Sequence, residues 1–389
     1  MTLPQLKLQT FATFEDAKTC WRALEESGDA YVYQTYDWLS TWYELVGVNG
    51  DLKPCLTAVM DGDGRPLMFL PLAVERHRLW MVLTWLGARF SDYNAPVLAP
   101  DAVDRLERIG GISSLWQALQ HELPRFDYAD FQRQPARIGN QPNPFVQLAS
   151  IEGGHAAHST RLSGDWQAYY TRKRSKKTRH NDRRKRRKLE RHGQLEFLIA
   201  RTPGDIDLLV STMLRQKRAY VKALRKENVL DEPGYDEFLR ARAEEGLTTG
   251  ETMLCGLVLE GDILAVQWGA VHKGRLYSIV ASYDDGEHSN LSPGELLLHE
   301  LFGWCFDHGI EVLDFTYGDE PYKQAWCEET LALSRGLMPV SAWGRIGAYA
   351  LEAGIKTKRQ LEGTGCIRQI RTAQNFLRNR GAALNRGLS

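Results

Sequence analysis

The chain contains two sets of short apolar runs, and polar turns separate the runs within each set. Runs of this length bounded by Gly, Asp and basic residues predict β-strands joined by tight turns. The predicted strands are residues 55–60, 67–74 and 79–86 in the first set and residues 254–259, 263–271 and 275–282 in the second. The pattern therefore predicts two mostly antiparallel sheets.

Cys55 and Cys255 begin the two sets and lie 200 residues apart. Solenoid repeats have periods of about 20–50 residues, so this spacing indicates a duplicated domain instead. Two unrelated antiparallel meanders are the alternative interpretation, because hairpins are common in proteins.

Helices are predicted where apolar residues recur three or four positions apart. The predicted helices are residues 14–24, 37–46 and 208–224, together with a helix that begins near Pro293 and ends at Gly309. A short strand, 311–315, follows that last helix, and a polar, aromatic loop covers 316–326. Helices mixed with mostly antiparallel strands predict an α/β (α+β) fold.

The segment from Pro135 to Ser163 is rich in Gly, Pro, Asn, Gln and Ser, which predicts a boundary loop. A basic stretch from Trp166 to His192 follows it and is expected to form one charged helix that stops at Gly193. The predicted division is an N-terminal domain (1–160), a basic helical connector (161–193), a C-terminal domain (194–340) and a basic helical tail (341–389).

Charge is distributed unevenly along the 389 residues, although 49 Lys and Arg balance 49 Asp and Glu. Residues 172–191 contain 13 basic and 2 acidic side chains, so this segment carries +11 and the remainder carries −11. The segment is predicted to be a solvated or docking helix, or to bind an anionic ligand or a membrane surface. Nucleic acid is an unlikely partner, because no aromatic residues are interleaved to stack on bases.

The six scattered cysteines form no CxxC pair, which suits a reducing compartment. Neither a signal peptide nor a run of about 20 apolar residues is visible, so a cytoplasmic location is expected. We expect no metal site, because Cys305-x-x-His308 and the pair His155/His158 lack a second half-site.

The residues Leu291-Ser292-Pro293-Gly294-Glu295-Leu296 join a strand to a helix. Ser292 is predicted as N-cap, Pro293 as the first helical residue and Glu295 as the third, which makes a capping box. Backbone N–H groups and the helix dipole at such a start can bind phosphate. The alternative is a well-capped helix with no ligand, and the carboxylate of Glu295 would oppose an anion.

Four segments together resemble the GNAT-superfamily acyltransferases of the cellulose-biosynthesis (CelD-like) family, which are related to FemAB-type peptidyltransferases. They are Gln34-Thr35-Tyr36-Asp37-Trp38-Leu39-Ser40-Thr41-Trp42; Leu86-Gly87 with Ser91-Asp92-Tyr93; Arg187-Lys188-Leu189-Glu190-Arg191-His192-Gly193; and a stretch from Ser282-Tyr283-Asp284 through Leu291-Ser292-Pro293-Gly294 and Asp314-Phe315-Thr316-Tyr317-Gly318 to Tyr322-Lys323-Gln324-Ala325-Trp326. Their order and spacing extend over most of the chain.

This resemblance implies two GNAT-like domains, each a mixed, mostly antiparallel sheet flanked by helices, with acyl-CoA bound by the C-terminal one. It implies transfer of an acyl group, acetyl-CoA being the expected donor, to an amine or hydroxyl of a small molecule or polysaccharide precursor. The cofactor pyrophosphate would meet residues 291–296. The Gln/Arg-x-x-Gly-x-Gly/Ala signature of GNAT proteins is absent, so an aminoacyl donor stays open.

Acyl transfer needs a base for the acceptor proton, an acid for the leaving thiolate and donors for the oxyanion. Asp314, Asp319 and Glu320 are candidate bases, Tyr317 and Tyr322 are candidate acids, and Lys323 is a candidate for stabilising negative charge. The alternative from another class is a non-catalytic, degenerate GNAT pair that binds an anionic membrane or nucleic acid through its basic helix.

Overall fold

The computed structural model describes residues 6–148, 151–223 and 229–363. In the N-terminal half the elements are β1 (Lys7–Phe11), α1 (Phe14–Ser27), α2 (Tyr36–Leu45), β2 (Leu52–Met60), β3 (Pro66–His77), β4 (Trp80–Trp85), β5 (Val97–Leu98), α3 (Ala102–Arg108), α4 (Gly111–Glu122), β6 (Tyr128–Pro135), β7 (Arg137–Ile138) and β8 (Gln141–Pro142).

A strand and two basic helices connect this half to the next: β9 (Ile151–Arg161), α5 (Trp166–Lys173) and α6 (Lys176–Leu189). The C-terminal half contains β10 (Leu195–Ile199), α7 (Pro203–Ala223), α8 (Tyr235–Thr249), β11 (Thr252–Leu259), β12 (Asp262–His272), β13 (Arg275–Tyr283), α9 (Pro293–Asp307), β14 (Val312–Tyr317), α10 (Pro321–Gln324), β15 (Glu329–Pro339) and α11 (Ala342–Gly363).

One 13-stranded sheet runs through both halves in the order β1-β2-β3-β4-β6-β15-β9-β14-β13-β12-β11-β10, and β5 pairs with β3. The order is symmetric about its centre, because β1, β2, β3, β4 and β6 correspond to β10, β11, β12, β13 and β14. Cys55 and Cys255 lie on the corresponding strands β2 and β11. The predicted fold class, two GNAT-like units of mixed, mostly antiparallel sheet flanked by helices, is confirmed.

The last strand of each half pairs with the other half. β15 is hydrogen-bonded to β6, β9 is hydrogen-bonded to β14, and β9 and β15 pair with each other at the centre. The prediction of a loop over 135–163 was therefore wrong for 151–161. The strand was missed because small residues such as Ala156 and Ala157 carry no periodic signal, and pairing along both edges stabilises it instead.

Each half contains a matching irregularity in its fifth main strand. The pairing register shifts in β6 and in β14, and Arg133 (φ 52°) and Thr316 (φ 57°) lie there in the left-handed region. A β-branched residue rarely adopts that conformation, so Thr316 is a site of backbone strain.

The basic stretch forms two helices, α5 and α6, and not the single helix that was predicted. The chain leaves the helical conformation at Arg174, and the Ser175 hydroxyl accepts a hydrogen bond from the Thr178 N–H at 3.1 Å, which caps α6. Ser is a favoured N-cap, and a cap inside a basic run has little effect on its composition.

The two halves share one apolar core. The Trp38 ring of α2 packs on Phe238 of α8 at 5.1 Å and on Trp268 of β12 at 6.0 Å between ring centroids. The predicted domain boundaries remain a prediction, and the part of the basic tail from 364 to 389 lies outside the described residues. Among the described residues, no helix is long and apolar enough to cross a membrane.

The C-terminal end of α1 meets the β12–β13 turn of the other half. The Lys273 ammonium donates to the carbonyls of Glu25, at 2.6 Å, and Gly28. The Glu25 carboxylate accepts a hydrogen bond from the Tyr36 N–H. Burial raises the pKa of Glu25 to about 8; the Tyr36 N–H and Arg22 oppose this shift, and Asp37 and Glu251 add to it.

Because its folded-state pKa is raised, Glu25 favours folding when protonated, and this contribution is lost as pH rises from about 4.5 to about 8. Glu25→Gln stays neutral and can accept the same hydrogen bond. We expect it to match the wild type at pH 4 and to be more stable at pH 8, by an amount on the order of a few kcal/mol. Chemical denaturation across this range measures the difference.

Glu26→Gln is the control, because Glu26 is the adjacent residue of α1 and is exposed. Its unfolding free energy should follow the wild-type pH profile. Parallel profiles for Glu25→Gln and the wild type would contradict the prediction.

Candidate functional site

The strands β13 and β14 are paired at one end and separate at the other. Their parallel register runs only from Arg275 opposite Val312 to Tyr277 opposite Asp314. β13 then continues to Tyr283, and the chain leads through residues 284–292 to α9. The gap between the two strands and the start of α9 define the candidate site.

Asp314 is fully buried at the last paired position. Its carboxylate accepts hydrogen bonds from Tyr93 Oη (2.9 and 3.0 Å), from the Thr316 N–H (2.8 Å) and from Arg275 Nη1 (2.8 Å). Burial raises the pKa of Asp314, and Arg275 opposes that shift. Because Tyr93 belongs to the N-terminal half, this carboxylate joins the two halves at the site.

Asp314 was predicted as a catalytic base, but the structure leaves its side chain no exposed surface. Its three donors hold it beneath the strand ends. The geometry favours a positioning role, in which Asp314 fixes the start of the loop that carries the other predicted residues. That role remains a prediction.

Tyr317 lies at the open end of β14 beside residues of the N-terminal half. The Arg133 guanidinium lies over the Tyr317 ring, 4.7 Å from its centroid. Arg133 Nη1 donates to the Ser91 carbonyl at 2.7 Å and lies 3.9 Å from Asp92 Oδ1, and Tyr33 Oη donates to Asp92 Oδ2 at 3.0 Å. The sequence analysis identified Ser91-Asp92-Tyr93 only as part of a resemblance, and it missed Arg133.

Lys323 is buried, and its ammonium faces the loop that carries it. Nζ donates to the Tyr317 carbonyl at 2.9 Å and pairs with Glu320 Oε2 at 2.8 Å. The neighbouring Tyr322 ring meets Phe315 edge-on at 5.9 Å, and burial raises the pKa of Tyr322. The structure therefore brings Asp314, Tyr317, Tyr322 and Lys323 into one short segment, with the Lys323 ammonium engaged in holding it.

An imidazole–carboxylate pair adjoins this segment. His158 Nε2 of β9 lies 2.8 Å from Asp319 Oδ1, and His158 Nδ1 lies 3.3 Å from Thr330 Oγ1 of β15. The Asp319 side chain is 41% exposed and that of His158 only 7%. Asp319 was a predicted base, but His158 was missed as its partner, because only the exchange of β9 into the C-terminal half brings it there.

The start of α9 differs from the predicted capping box. Ser292 has left-handed backbone angles (φ 54°, ψ 60°), and its side chain makes no capping hydrogen bond. Its hydroxyl instead accepts a hydrogen bond from Lys185 Nζ of α6 at 2.6 Å, and Glu295 pairs with Arg174 at 3.3 Å. The left-handed turn and the two cations replace the local contacts that the motif predicts.

The backbone of this turn is only partly free to bind an anion. The N–H groups of Glu295 and Leu296 donate to the Ser292 carbonyl at 3.1 and 3.2 Å, and Pro293 has no N–H. A Cβ on Gly294 would meet only the Tyr283 side chain, at 3.8 Å, so space is open beside it. Pro293 and Leu296 are buried, whereas Leu291, Ser292, Gly294 and Glu295 are half-buried.

The helix α6 lies along this turn with one side facing α9. Lys185 contacts Ser292, and Arg186 pairs with Glu300 of α9. The Arg174 guanidinium, just before α6, lies 4.6 Å from the ring of the buried Trp326. The side chains that remain exposed are Arg172, Lys176, Lys177, Arg183, Arg184, Arg187, Lys188 and Arg191.

Residues 176–324 match the family model described as an acetyltransferase (GNAT) domain. The match begins at the first residue of α6 and ends at the last residue of α10, so the basic helix and the site lie within it. The chain therefore contains a GNAT acetyltransferase domain. The search of curated proteins found no match.

Solved structures share the fold across both halves. FemX has a TM-score of 0.55 at 10% identity, covering 84% of this chain and 96% of its own. A conserved protein of unknown function from Bacteroides thetaiotaomicron has a TM-score of 0.52 at 12% identity, covering 85% and 100%. The C-terminal domain of an Agrobacterium fabrum protein assigned as a lysylphosphatidylglycerol synthetase has a TM-score of 0.50 at 10% identity, covering 87% and 95%. These likenesses show the fold alone.

The buried pair of Asp314 and Arg275 can be tested by a double-mutant cycle. Asp314→Asn removes the charge that compensates the guanidinium, so we expect a loss of about 3–5 kcal/mol in unfolding free energy. Adding Arg275→Met should restore part of this loss, since the double variant leaves no unpaired charge. Urea denaturation of the four proteins gives the coupling energy.

Arg161→Ala is the control, because the exposed pair of Arg161 and Glu329 has a similar distance of 2.9 Å. We expect a loss of less than about 1 kcal/mol. A strictly additive cycle, or a loss no larger than that of the control, would show that Asp314 does not hold the site together.

Proposed function

We propose that this protein is an acyl-CoA-dependent acyltransferase of the EC 2.3.1 class, transferring an acetyl group to an amine or hydroxyl. The observation that carries the proposal is the gap between β13 and β14, which opens towards the start of α9 within the matched GNAT domain. An acyl chain needs such an opening to reach an acceptor on the other side of a sheet.

The turn at residues 291–296 fits a phosphate in some respects and opposes it in others. Open space beside Gly294 and the positive end of a 15-residue helix favour an anion, as do Lys185 and Arg174. The carboxylate of Glu295 opposes it, although Arg174 pairs with that charge. We propose that Lys185 and the Gly294 N–H hold the diphosphate, and that acyl-CoA supplies the activated thioester.

The loop beyond β14 supplies groups for proton transfer. We propose that Asp319, oriented by His158, accepts the proton of the acceptor amine as its nitrogen forms the new bond to the acyl carbon. The bond from that carbon to sulfur breaks, and Tyr317 donates its proton to the leaving thiolate, assisted by the Arg133 charge over its ring. Lys323 and Asp314 keep this loop in place.

The acceptor and the final choice of donor are less closely defined by the site. The resemblance to CelD-like proteins supports a polysaccharide precursor as acceptor and a place in exopolysaccharide assembly. The fold shared with FemX, and the absent GNAT signature, keep an aminoacyl donor as an outcome of the test. A non-catalytic protein, which binds anionic surfaces through the exposed cations of α6, is the outcome opposite to the proposal.

Gly294→Asp tests the cofactor position without disturbing the helix. A carboxylate in the first turn stabilises a helix but repels a diphosphate. We expect Kd for CoA, measured by isothermal titration calorimetry, to rise at least about tenfold while the melting temperature stays within a few degrees of the wild type.

Gly294→Ala is the matched control, because its added Cβ makes only an ordinary contact with Tyr283. Its affinity for CoA should be close to that of the wild type. A wild-type protein that binds neither CoA nor acetyl-CoA, or equal affinity in the Asp and Ala variants, would overturn the proposed position.

Tyr317→Phe tests the proposed acid. The ring and its contact with Arg133 are retained, so binding and folding should change little. We expect kcat for acyl transfer to fall by about 10²–10⁴-fold, since a general acid contributes that much. Tyr43→Phe, on α2 of the N-terminal half, is the control and should keep full activity. Unchanged kcat in Tyr317→Phe would remove Tyr317 from the mechanism.

A further inference from the structure

An exposed apolar surface lies far along the chain from the transferase residues. It consists of Leu79, Trp343, Ile346 and Tyr349, which are 72%, 46%, 55% and 70% exposed, and we call it the α11 patch. Trp343, Ile346 and Tyr349 are spaced three residues apart on α11, and Leu79 belongs to the β3–β4 turn. Large exposed apolar side chains that cluster in this way mark interaction surfaces.

The patch is built on a fixed base. Trp343 Nε1 donates to the Leu79 carbonyl at 3.4 Å, Trp80 Nε1 donates to the Trp343 carbonyl at 3.1 Å, and the two indoles stack at 5.6 Å. The opposite side of α11 is buried through Gly344, Gly347 and Ala348. The helix therefore lies on the protein and presents its aromatic side outwards.

Cations surround the patch. Arg76, Arg78 and Arg345 are exposed beside it. Among neighbouring acids, Asp51 pairs with Arg76 at 3.3 Å, and Glu352 pairs with Lys356 at 2.7 Å on the same helix. From 341 to the C-terminus the sequence contains nine Lys or Arg and two Glu, a net charge of +7.

We infer that the α11 patch binds the surface of an anionic lipid bilayer. Trp and Tyr favour the boundary between headgroups and acyl chains, and Ile and Leu add buried apolar area. The surrounding cations attract anionic headgroups, and an apolar face combined with a basic segment gives stronger attachment than either alone. The inference is independent of the proposed transferase reaction, and it places the bilayer at α11 and not at the basic helix α6.

Cosedimentation of the full chain with vesicles tests the inference. Wild-type protein should bind vesicles of phosphatidylcholine and phosphatidylserine, and bind pure phosphatidylcholine at least about tenfold more weakly. Ile346→Glu/Tyr349→Glu should lower the partition coefficient for the anionic vesicles by about tenfold or more. Both side chains are more than half exposed, so the melting temperature should be retained and should show that the variant folds.

Two further variants separate this surface from others. Leu208→Glu replaces a 52%-exposed apolar residue on α7 and should bind vesicles like the wild type. Arg183→Glu/Arg187→Glu, on the exposed side of α6, should also retain most of the binding.

Several results would overturn the inference. They are unchanged vesicle binding by the α11 variant, loss of binding only in the α6 variant, and no vesicle binding by the wild type. A wild-type dimer in light scattering that the α11 variant abolishes, without lipid binding, would assign the patch to a second copy of the chain instead.

Discussion

A buried carboxylate shared by the two halves is the interaction on which the candidate site depends. Asp314 has no exposed surface, and its ion pair with Arg275 and hydrogen bond from Tyr93 compensate the cost of removing a charge from water. Two residues before its left-handed residue, the N-terminal half has the apolar Phe131 at the corresponding place. The acid is thus a particular feature of the C-terminal half, where the strand ends must be held for β13 and β14 to separate.

The exchange of the last strands makes each half dependent on the other. β9 places His158 against Asp319, and β6 places Arg133 over Tyr317, so both contacts cross between halves. Thr316 adopts strained backbone angles between these contacts, and the Thr316 N–H is fixed by Asp314. The surrounding structure therefore determines the conformation of the loop, because its own sequence would not favour it.

The sequence predicted what local patterns determine. Periodicity located the strands β11–β13 and the helix α9 to within about two residues at each end. It missed β9, whose small residues are stabilised by neighbours distant in sequence, and it missed Arg133 and His158 for the same reason. The capping box failed because Ser292 adopts left-handed angles and Lys185, from another helix, binds its hydroxyl.

The duplication also explains why only one half has an open gap at this position. In the N-terminal half, β4 and β6 pair from Val82 opposite Tyr128 to Thr84 opposite Asp130, as β13 and β14 do. Beyond that point the Asn94 N–H donates to the Arg133 carbonyl at 3.0 Å and its side chain to the Gln132 carbonyl at 3.1 Å, so the chain closes its own gap. The adjacent Tyr93 reaches Asp314. The same segment thus closes one half and supports the other, and a duplicated fold becomes asymmetric without a change in topology.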